Sequence, residues 1–128
     1  MSSRTVIHTS NAPEPVGPYS QAIRTDSLVF LAGQVALDPA TGELIDGDVQ
    51  AQTRQVLENL KAVLAQAGSA LERVVKTTVF LADIADFAAM NAIYGEYFTN
   101  EPPARSAFQV AALPKGARVE IEVIALLK

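Results

Sequence analysis

The most regular pattern in the chain lies in residues 49–67. Val49, Thr53, Val56, Leu57, Leu60, Val63, Leu64 and Ala67 recur at spacings of three and four, which sets them on one stripe of an α-helix. Asp48 supplies an N-cap carboxylate and Gly68 a stop, while Gln52, Gln55, Glu58, Lys61 and Gln66 fill the polar face. A second helix is predicted over 85–98, capped by Asp83, with Phe87, Met90, Tyr94, Tyr97 and Phe98 on its apolar stripe and Asn91 beside it. Elsewhere the period is two. Strands are predicted over 4–9, over 20–25 and 28–33 as a hairpin about Asp26-Ser27, over 73–81, and over two final segments near 105–110 and 118–127. Proline and glycine mark the loop 10–18 and the turn at Asp38-Pro39-Ala40-Thr41-Gly42.

The order β-β-β-α-β-α-β-β predicts one α+β domain spanning 1–128, with both helices on one face of a single mixed sheet. Nothing in the chain offers a layer for the other face. Yet Leu28-Val29-Phe30-Leu31-Ala32 and the segment 123–127 are apolar on both sides, so burial by another subunit is expected. Composition points the same way: hydrophobic residues make up 49% of the 128 residues and charged residues 19%. The net charge of −4 counts against nucleic-acid binding. The absence of cysteine excludes disulfides and thiolate chemistry. There is no apolar N-terminal leader and no run long enough to cross a membrane, so a cytoplasmic protein is expected.

Candidate chemistry gathers near the C-terminus. Arg105 opens one strand, and Arg118, Glu120 and Glu122 alternate with Val119, Ile121 and Val123 in the next. An antiparallel pair turning near Pro114 would set Arg105 opposite residues 121–125. A guanidinium fork for a carboxylate would then lie beside an acid/base. On the pattern alone, a solvent-side ion pair of little worth is the favoured reading. Tyr19, after a proline-stiffened loop, reads equally as a packed strand residue or as a ring held over a ligand. Gly33 reads as a turn or bulge glycine or as a close approach of backbone to ligand. The single histidine, His8, and the strand lysine, Lys76, carry no sign of a catalytic role. No metal-binding or phosphate-binding motif is present, and no cofactor is expected.

Joint motifs decide among these. Pro103-Ala104-Arg105-Ser106, the turn Leu113-Pro114 and the strand Ile121-Glu122 stand near the C-terminus. Upstream lie Gly17-Pro18-Tyr19-Ser20-Gln21-Ala22, Ala32-Gly33-Gln34, Val75-Lys76-Thr77-Thr78-Val79-Phe80-Leu81 and Asn91-Ala92-Ile93-Tyr94. In order and spacing, over nearly the whole chain, this resembles the Rid (YjgF-type) family of imine deaminases. The resemblance implies a trimeric chorismate-mutase-like fold with ligand clefts between subunits. It implies hydrolysis of small 2-imino acids or their enamines to 2-oxo acids and ammonia. It assigns Arg105 to the substrate carboxylate and Glu120 to the attacking water or departing nitrogen. It further assigns Tyr19, Gly33, Asn91 and backbone near Ser106 and Ala107 to the substrate site. The family often carries cysteine where this chain has Ala107, so only a backbone role is implied there. Two alternatives accompany the resemblance: a 2-oxo-acid-binding regulator without turnover, and an endoribonuclease or translation inhibitor.

Overall fold

The computed structural model describes residues 3–128. Six strands form one sheet in the order β1-β2-β3-β6-β4-β5. They are β1 (Thr5–Ile7), β2 (Ala22–Arg24), β3 (Leu28–Gln34), β4 (Val74–Leu81), β5 (Ala104–Gln109) and β6 (Val119–Leu126), with helices α1 (Val49–Ala67) and α2 (Phe87–Tyr97). All neighbours are antiparallel except β4 and β5, which run parallel because α2 carries the chain across between them. The α+β class, the mixed sheet and the element order are therefore as the pattern predicts. Among the described residues no helix is long and apolar enough to cross a membrane.

Helix α1 forms where its stripe predicts, and its ends are closed chemically. The Asp48 carboxylate accepts from the Ala51 amide at 2.9 Å, and Gly68 takes the left-handed conformation at φ 83°. Val56, Leu57, Leu60, Val63 and Leu64 are wholly buried against the sheet. One assignment changes. Gln52, expected on the polar face, is buried, and its side-chain oxygen accepts from the Arg118 amide at 2.8 Å. That bond ties α1 to the residue leading into β6. Asp83 caps a 3₁₀ turn (Ile84–Asp86) that precedes α2 rather than α2 itself.

Alternation assigns every strand residue to a face. Val119, Ile121, Val123 and Ala125 of β6 are buried under the helices, as are Val79 and Leu81 of β4. The opposite face carries Phe30, Phe80, Phe108, Ile124 and Leu126, and no helix among the described residues lies over it. Phe30, Phe108 and Leu126 are more than 40% exposed there, an apolar patch of the kind that marks a contact surface.

Candidate functional site

Glu120 lies on the open face where β6 begins and β3 ends. The pairing Leu31↔Val123 is followed by Gln34↔Ile121, so β3 carries one extra residue at Ala32-Gly33. Such a bulge bends its strand and re-aims neighbouring side chains. Here the Glu120 carboxylate lies directly over Gly33, and a Cβ at that position would collide with it. Gly33 is therefore a bulge glycine, and the group packed on it is the Glu120 carboxylate. Gly33 and Glu120 line a cleft of about 320 Å³ together with Tyr19, Val16, Val35 and Leu37. Burial in this cleft, and then the negative charge of Glu122, hold the Glu120 carboxyl above the usual carboxylate range. Among the described residues no side-chain hydrogen bond reaches it.

Tyr19 is held over the cleft by its loop. Its hydroxyl accepts from the Val16 amide at 3.3 Å, and its own amide donates to the Gly17 carbonyl at 2.8 Å. The loop in turn is held by Gln21, which is buried. Its side-chain amide donates to the carbonyls of Thr9 (3.0 Å) and Pro13 (2.9 Å), and its oxygen accepts from the Thr9 amide (2.7 Å). In the sequence Gln21 stands within the motif Gly17-Pro18-Tyr19-Ser20-Gln21-Ala22, but nothing in the binary pattern marks it as the loop's anchor.

Arg105 belongs to a different place. It pairs in register with Thr77, which pairs with Val123, so all three point to the helix-covered face. Its Nη1 donates to Asn91 Oδ1 at 2.7 Å. Its guanidinium carbon lies 4.7 Å from the ring centre of Tyr94 and 5.4 Å from that of Phe87. Tyr94 is buried and its hydroxyl shares a 2.7 Å hydrogen bond with buried Thr77. Burial raises the Tyr94 phenol above its ordinary value, partly offset by Thr77 and by the Arg105 charge. The ion pairs formed by arginines among the described residues are Arg54–Glu96 and Arg118–Asp86, and Arg105 has none. The solvent-side ion-pair reading of Arg105 is therefore excluded.

β5 is an edge strand. The Val110 amide donates to the Leu81 carbonyl at 2.9 Å, so by alternation Ser106 and Phe108 also direct their backbone groups to β4. Arg105 and Ala107 direct theirs to the free edge. Of the two backbone positions expected at the site, Ala107 is thus available and Ser106 is not.

The expected meeting of Arg105 and Glu120 on neighbouring strands needs correction. β5 and β6 do not pair; β4 lies between them. Residues 74–109 form a β-α-β crossover, which makes β5 a parallel partner of β4 and sends β6 to β4's other edge. Glu120 pairs with Phe80, three residues along from the Thr77–Arg105 row, and points to the opposite face. Two strand spacings and three residues put the two α-carbons roughly 14 Å apart. Arg118 also leaves the Glu120–Glu122 row: it precedes β6 and pairs with Asp86 at 3.2 Å. Tyr19, Gly33 and Glu120 thus form one cluster, and Arg105, Asn91 and Ala107 another.

Comparison with known proteins adds to this geometry. A family model described as Endoribonuclease L-PSP matches residues 9–127. The chain is 52% identical over 123 residues to the 2-iminobutanoate/2-iminopropanoate deaminase of Mus musculus, covering 96% of this chain and 91% of that protein. The Homo sapiens protein of the same name is 50% identical over 123 residues, covering 96% and 90%. Among solved structures, RidA from an Antarctic Psychrobacter matches with TM-score 0.93 at 46% identity, covering 96% of this chain and 99% of that one. TdcF of E. coli with bound serine matches with TM-score 0.90 at 43% identity, covering 97% and 99%.

Proposed function

The chain belongs to the Rid (YjgF/L-PSP) family, and from that premise we propose that it is a 2-iminobutanoate/2-iminopropanoate deaminase whose site is completed by a neighbouring subunit of a homotrimer. The observation that carries the reading is the pair of half-sites. One holds a guanidinium with no carboxylate partner, and the other a carboxyl of raised proton affinity. The apolar open face, with Phe30, Phe108 and Leu126 exposed, is the surface that assembly would cover.

In this account Arg105 of one subunit binds the substrate carboxylate through parallel hydrogen bonds. Glu120 of its neighbour orients a water below the imine carbon and takes one of its protons as the oxygen attacks. The resulting carbinolamine carries OH and NH₂ on the former imine carbon. That carbinolamine already holds on its nitrogen the proton that Glu120 took from water; Glu120 then takes the hydroxyl proton as the carbonyl forms and delivers it to the departing nitrogen as the C–N bond breaks, so imine and water become 2-oxo acid and ammonia. A carboxyl of raised proton affinity suits both halves of that cycle. The Tyr19 ring closes one side of the cleft over the substrate chain. The outward backbone of Ala107 supplies a donor and an acceptor for the nitrogen or water. Imines hydrolyse in water unaided, so positioning of this kind is a sufficient source of acceleration.

The test is imine decay in a dehydratase-coupled assay, with pure protein added at catalytic concentration. Faster release of 2-oxo acid and ammonia, saturating with imine, is expected. Tight 2-oxo-acid binding without any acceleration would instead identify a metabolite-binding protein.

A further inference from the structure

We infer that Phe87, Asn91 and Tyr94 are positioning residues for Arg105: together they form a charge-neutral cradle that fixes the guanidinium while leaving its charge free for a carboxylate ligand. The inference rests on the carboxylate-clamp reading of Arg105, and it gives Asn91 a different part from direct substrate contact.

The three residues fall at i, i+4 and i+7 of α2, which is one stripe of a helix. Their groups close on one side chain. Asn91 Oδ1 accepts from Nη1 at 2.7 Å, and the guanidinium carbon lies within cation–π range of both rings, at 4.7 and 5.4 Å. Tyr94 cannot drift, because its hydroxyl is tied to Thr77 at 2.7 Å and Thr77 is the β4 residue beside Arg105 in the sheet. The cradle is therefore referenced to the same strand pair that carries the arginine.

The chemistry of the cradle is selective. An arginine side chain is long and rotamer-rich, and a loose one loses that freedom on binding. Two ring faces and one amide oxygen remove it beforehand. None of the three carries a formal charge. Arg54 and Arg118, by contrast, are each held by a carboxylate, at 3.0 and 3.2 Å. A carboxylate at position 91 would hold Arg105 at least as firmly, but it would compete with the ligand's own carboxylate. Asparagine holds the guanidinium without neutralising it, and Nη1 donates only one of the five hydrogens of the guanidinium to it.

The test uses 2-oxobutanoate as the probe, with its dissociation constant measured by calorimetry on the intact protein. ¹⁵N-NMR of the Arg105 guanidinium reports rotation about its Cζ–Nε bond. Phe87→Leu should weaken binding by about 2- to 30-fold, the span of one cation–π contact, and Asn91→Ala by about 10- to 150-fold, the span of one hydrogen bond to a charged group. Both should speed guanidinium rotation. Tyr94→Phe keeps the ring and tests the Thr77 tether alone, with a smaller effect in the same direction. Asn91→Asp is the sharpest arm: it should keep slow rotation yet weaken 2-oxobutanoate more than Asn91→Ala does. A structural role for Asn91 would predict the reverse order. Wild-type affinity in Asn91→Asp would overturn the neutrality argument. Unchanged affinity and rotation in both Phe87→Leu and Asn91→Ala would remove the cradle, while loss of binding in Arg105→Lys would leave the clamp standing. Normal binding in Arg105→Lys would instead remove the clamp, and with it the ligand half of this inference.

Discussion

Two inactive variants of this enzyme should restore each other. Arg105→Lys keeps the charge but loses the two-pronged fork, and loss of such a desolvated pair typically costs about 2–5 kcal/mol, or roughly 10^1.5- to 10^3.5-fold in kcat/KM. Glu120→Gln keeps shape but cannot take a proton, with an expected loss of roughly 10²–10⁴-fold. Within one chain the two groups point to opposite faces of the sheet, on strands separated by β4. A site that needs both must draw them from different chains. In a trimer assembled from equal parts of the two variants, a site is intact when one subunit supplies Arg105 and the next supplies Glu120. Each condition is met with chance one half, so about a quarter of the sites are wild type. Activity per chain should therefore rise to about a quarter of the wild-type value, well above the few per cent at most left in either parent. The assay is imine hydrolysis after joint refolding or co-expression, with mixed trimers verified by native mass spectrometry. Verified mixed trimers with no more activity than the average of the parents would refute the shared site.

Four further outcomes follow from the same geometry. Light scattering across a dilution series should give three times the chain mass, and Phe108→Glu, which sets a charge on the open face, should give one. Gly33→Ala should leave the fold intact but displace the Glu120 carboxylate, with a loss of roughly 10²-fold in turnover, the size expected of a misplacement near 1 Å; normal turnover would mean that Glu120 has no fixed place over the bulge. Glu122→Gln should leave turnover within about threefold of wild type, against the far larger loss in Glu120→Gln. It should also move the acidic limb of the pH–kcat/KM profile to lower pH, because removing a neighbouring negative charge makes Glu120 easier to ionise. The same raised carboxyl stabilises the fold fully below its unfolded pKa and loses that contribution as pH rises through its folded pKa, so Glu120→Gln should melt higher than wild type at neutral pH and not below pH 4.

Much of this was legible in residue order, for identifiable reasons. Helix α1 announces itself because its stripe, its cap and its stop agree, and each is a local signal. The open face was also legible, since a strand apolar on both sides in a chain without a third layer has to meet another surface. The cluster around Glu120 was legible only in its members. That Gly33 leaves room for the Glu120 carboxylate depends on a bulge between strands more than eighty residues apart in sequence, which no local pattern reports. The anchoring amides of Gln21 and Gln52 were hidden for a related reason. A buried glutamine whose bonds all go to distant backbone looks, in the sequence, like any surface glutamine.

The misplaced pairing of β5 with β6 shows where the local reading failed. A turn between two strands suggests a hairpin, but the helix between β4 and β5 was the stronger signal. A crossover helix commits its two strands to lie parallel, and β6 then has to take β4's remaining edge. This insertion decides the chemistry. It turns Arg105 toward α2 and Glu120 toward open space, so the cation and the acid of one chain cannot meet and neutralise each other. Had the hairpin formed, the two would lie on adjacent strands within reach of an ion pair, and a substrate carboxylate would have to displace a partner already in place. Separation by one strand keeps each group ready, and on the proposed reading only assembly sets them on either side of a substrate.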